Sequence, residues 1–230
     1  MNANAVHHRA HVHYEMGETK AGREALSQWR SGYDRTGLLH CHLAWHDALW
    51  SLSLGDLDRV WQIVDNDMHP DHTSAPPINV MTDLVALLLR AEIAGQPRHS
   101  NLWETAATYA QRFFPKPGMS FADFHSAIAQ AMVGDDAALG PLIDAPAGMA
   151  GDQVSHIAQA FVAFAAEDWS GVLNQLTPIM ATHERLGGSR AQRDLIELSY
   201  AYALVRSGSL AEALRFQHIR RPRTEGYPCL

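Results

Sequence analysis

The fold is decided by residues 38–61, which read LLHCHLAWHDALWSLSLGDLDRVW. This stretch has the pattern of an apolar helix, a Gly-Asp turn and the start of a second helix. Because a helix turns by about 100° per residue, His42 and His46 lie one above the other on one face. The same face carries apolar side chains: Leu39, Leu43, Leu49 and Trp50. Two imidazoles therefore point towards packed apolar surface, where a polar group without a partner is costly.

The same kind of turn recurs along the chain. In each copy a helix ends, a Gly or an acidic residue turns the chain, and a second helix follows. The copies begin at Gly17, Gly55, Gly95, Gly134, Glu167 and Gly208. Their spacing of 33 to 41 residues is typical of helix-pair repeats, with tetratricopeptide-like arrays nearest and HEAT-type arrays second.

We therefore predict an all-α fold, an α-solenoid of five to six antiparallel helix pairs in a tetratricopeptide-repeat-like superhelix. No segment alternates apolar and polar residues long enough to predict a strand. Neighbouring pairs stack and leave a concave binding surface, so residues 1–230 form one domain. The predicted helices are 3–16, 19–31, 38–54, 56–68, 79–94, 100–114, 121–133, 135–143, 152–166, 168–184, 189–206 and 209–219.

Composition excludes several classes of protein. A net charge of −7 and a pI near 6.0 argue against a nucleic-acid binder, which needs a basic stripe. The basic run at 220–223 (RRPR) is short, and we interpret it as a solvated tail. Cys41 and Cys229 are the two cysteines, so no disulfide framework is predicted and a reducing compartment fits.

The sequence also predicts that the chain does not enter a membrane. Its N-terminus lacks the basic and apolar regions of a signal peptide. The most apolar segment, residues 80–89, contains Asp83 and is shorter than the roughly 20 apolar residues that span a bilayer. We therefore expect a cytoplasmic protein.

Four stretches carry a resemblance: HRAHVHYEMG (8–17), HLAWHDALW (42–50), FADFHSA (121–127) and GGSRAQRDL (187–195). They resemble the bacterial members of the tetratricopeptide repeat domain 38-like family. The resemblance covers most of this chain but only the C-terminal half of the longer members, so it implies either a minimal form or a missing front half. It implies an all-α, tetratricopeptide-like superhelix and says little about activity. Arg190 stands where many relatives have His, which weakens the transfer of a site through that position.

Half of the fourteen histidines lie in the first 50 residues. His7, His11 and Glu15 recur at four-residue spacing on the first helix, and His42 and His46 do so on the third. If the two helices are neighbours, their stripes face each other and could hold zinc or iron. Candidate metal ligands are His11, His42 and His46, and Glu15 is a candidate ligand contact. The alternatives are core histidines bonded to backbone and hydroxyl groups, or a pH sensor.

Three further candidates are polar residues on apolar helices. Asp83 lies two turns before Arg90, and an ion pair with Arg90 or a neighbour is favoured over catalysis because a buried carboxylate needs a partner. Asp123 and His125 lie near the start of a helix, with His125 on its buried side. Asp123 is interpreted either as a stabiliser of the helix N-terminus or as a site residue.

Residues 187–194 (GGSRAQRD) open a helix, with Ser189 as its N-cap. Two glycines before a cap could hold an anion on backbone N–H groups, although the Lys-Ser/Thr ending of a phosphate loop is absent. Gln192 and Asp194 are candidate ligand contacts. Spacing of four residues predicts two surface ion pairs, Arg190 with Asp194 and Arg193 with Glu197.

Two functions therefore stay open. One is a scaffold whose concave face binds a peptide, a partner protein or a small ligand, as a monomer or a homodimer. The other is an enzyme that uses a His/Asp/Glu cluster on that face, with or without a divalent metal. The second gains support if His11, His42, His46 and His125 meet in one pocket with an acid among them.

Overall fold

The computed structural model describes residues 2–220, and all regular secondary structure in that range is helical. This confirms the all-α prediction, and no strand is present among the described residues. Twelve α-helices follow one another: α1 Ala3–Met16, α2 Thr19–Arg30, α3 His40–Ser53, α4 Leu57–Ile63, α5 Pro77–Ile93, α6 Ser100–Phe113, α7 Ser120–Val133, α8 Asp136–Asp144, α9 Gly151–Ala165, α10 Trp169–Leu176, α11 Arg190–Arg206 and α12 Leu210–Arg220. Cys229 and residues 221–223 of the basic run lie outside the described range.

Two predicted helices leave the α-helical conformation earlier than the sequence pattern indicated. The helix predicted to reach 68 is α-helical only to Ile63 and continues as the π-helical turn Val64–Met68. The helix predicted to reach 184 ends at Leu176 and is followed by the 3₁₀ turn Thr177–Ile179. The second difference has a simple cause, because Pro178 has no backbone N–H to continue an α-helix.

The recurring turns share one backbone conformation. Gly17 has φ of 71°, in the left-handed region that glycine enters without strain, and its N–H bonds to carbonyls of the last turn of α1. Glu167 takes the same conformation with φ of 55° although it has a side chain. Positive φ also occurs at the other predicted turns: Gly55, Gly95, Gly134 and Gly208.

The odd-numbered helices from α3 to α11 form the interior of the protein. α3 packs against α5, α5 against α7 and α7 against α9, while each packs beside an even-numbered neighbour. α3 and α5 are buried along almost their whole length, as expected for helices that are apolar on all sides. None of the helices in residues 2–220 is long and apolar enough to cross a membrane.

α11 brings the end of the described chain back to its beginning. It packs against α5 in the interior and also contacts α1. Tyr14 of α1 donates a hydrogen bond of 2.7 Å to the Asp194 carboxylate of α11. α1 therefore contacts α2 and α3, which follow it in the chain, and the N-terminal end of α11.

A buried ion network joins α2, α3 and the π-helical turn. Arg30 donates to Asp47 at 2.6 Å and to Asp67 at 2.8 Å. His40 lies 2.9 Å from Asp67, and Arg59 donates to Asp47 at 3.0 Å. The two carboxylates thus neutralise a guanidinium that is almost fully removed from water, which buried charges require.

Candidate metal site

Four histidines from α1 and α3 converge at the contact between these helices. His7, His11, His42 and His46 each offer one ring nitrogen, and these four atoms lie within 4.8 Å of one another. The Nε2 atom of His7 lies 2.8 Å from that of His11 and 3.0 Å from that of His42. The ring of His46 completes the group, with its centroid 4.7 Å from that of His11. The structure therefore brings the two predicted histidine stripes together.

The ring nitrogens of the cluster outnumber the protons that could pair them, so a metal ion could use lone pairs that hydrogen bonds leave over. Nitrogen ligands at about 2.0–2.1 Å from a tetrahedral zinc ion lie roughly 3.4 Å apart, whereas the two shortest separations, 2.8 and 3.0 Å, are hydrogen-bond distances, so a bound zinc ion would spread these rings by a few tenths of an ångström. The Nε2 atoms of His7, His11 and His42 make two contacts with one another. Hydrogen bonds cannot satisfy both contacts well, because one proton satisfies only one contact at a time. Neither ring nitrogen of His46, a fully buried residue, has a hydrogen-bond partner among residues 2–220. An ion would use the one lone pair that a neutral His46 ring offers.

Burial keeps most of the cluster in the neutral form that binds metals. Burial, with the nearby charges of His42, His11 and His8, lowers the pKa of His7 to about 3. Burial, with the nearby charges of His42, His11, His7 and Arg90, holds the pKa of His46 well below its ordinary value, and burial also lowers the pKa of His11. Metal ligation requires deprotonated imidazole, so protons compete weakly for these rings at neutral pH.

Asp83 of α5 orients the ring of His42. Its carboxylate oxygens lie 2.8 and 3.1 Å from the His42 Nδ1 atom, and both side chains are buried. Burial acts to lower the pKa of His42, but the charge and hydrogen bond of Asp83 outweigh it and raise this pKa. With the Nδ1–H donated to Asp83, the Nε2 lone pair of a neutral His42 faces His7. A carboxylate behind a histidine is the usual second layer of a metal site.

Arg90 has other contacts than the predicted pair with Asp83. Its guanidinium donates to the carbonyl oxygens of Ala86 and Ala191 and lies 5.7 Å from the centroid of the Trp45 ring. It thereby ties α5 to the first turn of α11. The neighbour that bonds to Asp83 is His42, which the sequence could not single out.

His125 and Asp123 lie on α7, outside the four-histidine cluster. His125 is fully buried, and its Nδ1–H donates to the Phe121 carbonyl at 2.8 Å. Its Nε2 atom has no hydrogen-bond partner among residues 2–220. Asp123 accepts a hydrogen bond of 2.8 Å from the Gly118 backbone N–H, so it contributes to the N-terminal end of α7. Of the four histidines that an enzyme site was expected to bring together, His11, His42 and His46 meet, and His7 takes the place of His125.

The start of α11 is occupied by contacts within the protein. Ser189 and Gln192 form a reciprocal capping box, and Asp194 accepts from Tyr14. The predicted surface pairs are wrong in their partners, because α1 and the preceding loop provide closer groups. Arg190 lies 3.4 Å from Glu15, and Arg193 donates to the Gly188 carbonyl. Glu197 lies 3.3 Å from His183.

His125 should make the protein sensitive to acid. Burial lowers its pKa from 6.5 to about 3, so below pH 6.5 the unfolded chain binds a proton that the folded protein excludes. His125 alone should therefore lower the free energy of unfolding by about 1.4 kcal/mol per pH unit, or roughly 2 kcal/mol between pH 6.5 and 5.0. Urea denaturation at both pH values measures this for the wild type and His125→Asn, whose amide can still donate to Phe121. An equal loss in both proteins would contradict the prediction.

Comparison with models of known protein families finds no match, and no solved structure matches the chain. The resemblance to the tetratricopeptide repeat domain 38-like family stays a prediction. What the cluster can do follows from its own side chains: three imidazoles with lowered pKa values, a fourth paired with a buried carboxylate, and helices that hold them in place.

Proposed function

We propose that this protein binds one divalent transition-metal ion, zinc, through His7, His11, His42 and His46. The observation that carries the proposal is the convergence of four imidazole nitrogens from two helices within 4.8 Å. Imidazole suits zinc, copper, nickel and iron, whereas magnesium and calcium prefer oxygen ligands. Zinc fits best because it accepts four nitrogen ligands in a tetrahedron and needs no redox partner.

Four protein ligands favour a structural or regulatory ion over a catalytic one. Catalytic zinc sites keep a position open for water and use three protein ligands. Here a fourth imidazole would fill that position, and two of the four rings lie on a fully buried stretch of α3. The hypothesis of a hydrolytic enzyme therefore has less support than metal binding itself.

Metal content of the untagged protein tests the proposal. We expect close to one zinc per chain by mass spectrometry in the wild type, and none in His42→Ala/His46→Ala. The control is His69→Ala/His72→Ala, which removes another pair of neighbouring histidines, with ring centroids 5.2 Å apart. It should keep its zinc.

A second variant guards against misfolding. His7→Ala/His11→Ala removes the two partly exposed ligands, so it should fold as judged by circular dichroism and still lose the metal. A wild-type protein that takes up no zinc, copper or nickel after incubation and dialysis would overturn the proposal.

We also propose that the helices form tetratricopeptide-like repeats, as the family resemblance implies. The sequential packing of α3, α5, α7 and α9 supports this, as do turns of one backbone conformation at regular intervals. Stacked helix pairs would place α1 and α3 as first helices of consecutive repeats. Such an arrangement accounts for two matching histidine stripes.

A helical-repeat scaffold that binds a peptide, a partner protein or a small ligand is the second candidate function. A surface groove of about 360 Å³ between α6, α7 and α8 favours it. The groove combines apolar side chains such as Phe114 and Leu142 with the amides of Gln111 and Gln130. Binding there, like a homodimer, stays a prediction.

A further inference from the structure

α1 has little apolar contact with the rest of the protein. Only Val6 and Ala10 of its fourteen residues are buried, whereas thirteen of the fourteen residues of α3 are. These two side chains belong to a small apolar cluster with Leu26, Leu43 and Trp50, separate from the main core. Because apolar burial is the main source of helix docking, α1 needs other contacts to stay in place.

Polar contacts join α1 to α3 and α11, beside the packing of the Tyr14 ring against the main apolar core. Tyr14 bonds to Asp194 of α11, and Glu15 forms a partly exposed ion pair with Arg190, a kind of pair that contributes little. His7 and His11 face His42 and His46 on α3. Without an ion, the four rings have too few protons to pair all of their nitrogens by hydrogen bonds. With an ion, they form coordinate bonds that join the two helices.

We propose that the metal ion controls the docking of α1, so that α1 lies against α3 when zinc is bound and detaches when zinc is lost. The inference rests on the proposed zinc site and concerns its regulation. Such control requires one pair of ligands to stay in place and the other pair to be able to leave. His42 and His46 are fixed in the interior, while His7 and His11 are partly exposed. Detachment would expose the side of α3 that carries Leu43, His46 and Trp50.

Hydrogen exchange of the wild-type protein with and without zinc tests this inference. Amides of α1 should exchange at least about tenfold more slowly in the zinc-bound protein, because closing a local opening equilibrium slows exchange in proportion. In the metal-free protein, amides of α1 should exchange faster than those of α7, which lies in the main core and serves as the internal reference. In His7→Ala/His11→Ala, zinc should leave the exchange of α1 unaltered.

Trypsin provides a second readout through Arg9, an exposed residue in the middle of α1. Cleavage after Arg9 should be rapid in metal-free protein and slow in zinc-bound protein, and N-terminal mass measures it. His69→Ala/His72→Ala should behave as the wild type does.

The two proposals fail in different ways. If zinc binds with one ion per chain but α1 exchanges and is cleaved equally in both forms, the docking inference is overturned and the zinc site stands. If no zinc binds, both proposals fail. If α1 exchanges as slowly as α7 in the metal-free protein, α1 stays docked without the ion and the role of zinc in docking is overturned.

Discussion

Replacing Asp47 by alanine is expected to lower the free energy of unfolding by about 3–5 kcal/mol. Asp47 is fully buried, and its Oδ2 atom accepts hydrogen bonds from Ser27, Arg30 and Arg59. The Arg30 side chain is only 6% exposed. Without Asp47, its guanidinium keeps Asp67 as an anionic partner but loses the shorter of its two bonds to carboxylates. A buried charge that loses a partner is among the most destabilising changes a point mutation can make.

Asp56→Ala is the matched control for Asp47→Ala. It removes an ion pair with Arg23 of similar length, 2.8 Å, in which both side chains are substantially exposed. Exposed pairs contribute between zero and about 1 kcal/mol. Urea denaturation at pH 7 compares the two variants with the wild type. A loss of less than 1 kcal/mol in both would show that the buried network does not stabilise the fold.

The histidine site could be largely predicted because it depends on local spacing. Residues four apart lie on one helix face, so His7 with His11 and His42 with His46 were each a pair before any tertiary structure was known. One further condition was needed, that α1 and α3 be neighbours. His7 was recognised as part of the stripe but not as a ligand, although its spacing from His11 was the available signal.

Groups brought together by distant helices could not be predicted. Asp83 follows His42 by 41 residues, and its pairing depends on the packing of α5 against α3. Arg30, Asp47 and Asp67 come from three different elements, one of them a π-helical turn that shifts the helical register of Asp67. The contact between Tyr14 and Asp194 joins residues 180 apart in sequence. Each of these requires the path of the whole chain.

Most helix ends could be predicted because they, like the histidine pairs, depend on local sequence. Gly17 and the similar turns mark helix ends for a physical reason, because the left-handed conformation at a helix end favours glycine. The end of α10 was missed although its signal was present, since Pro178 stands inside the predicted helix and ends it. The partners of Arg190 and Arg193 were predicted wrongly because spacing along one helix takes no account of groups on other helices and loops.

Zinc should stabilise the wild-type protein strongly, and Asp83→Asn should weaken that effect. When free zinc is about 1,000 times its dissociation constant, binding to the folded state alone raises the free energy of unfolding by about 4 kcal/mol. Asparagine keeps the shape of Asp83 and an oxygen that accepts from His42, but it lacks the negative charge that favours a strong ligand. Changes of this kind in the second layer of a metal site reduce affinity about 10–100-fold.

The zinc-dependent increment in stability separates this effect from ordinary damage to the core. Asp123→Asn neutralises another buried acid, which accepts from the Gly118 backbone N–H on α7, away from the four histidines. Both variants are expected to lose stability without metal, but only Asp83→Asn should lose part of the increment, by about 1.4–2.7 kcal/mol at equal zinc. Thermal or urea unfolding at pH 7.5 with buffered zinc measures it. If both variants keep the full increment, Asp83 does not position His42 for the metal; if both lose it equally, the zinc response depends on the core as a whole, because Asp123 has no contact with the ligand set.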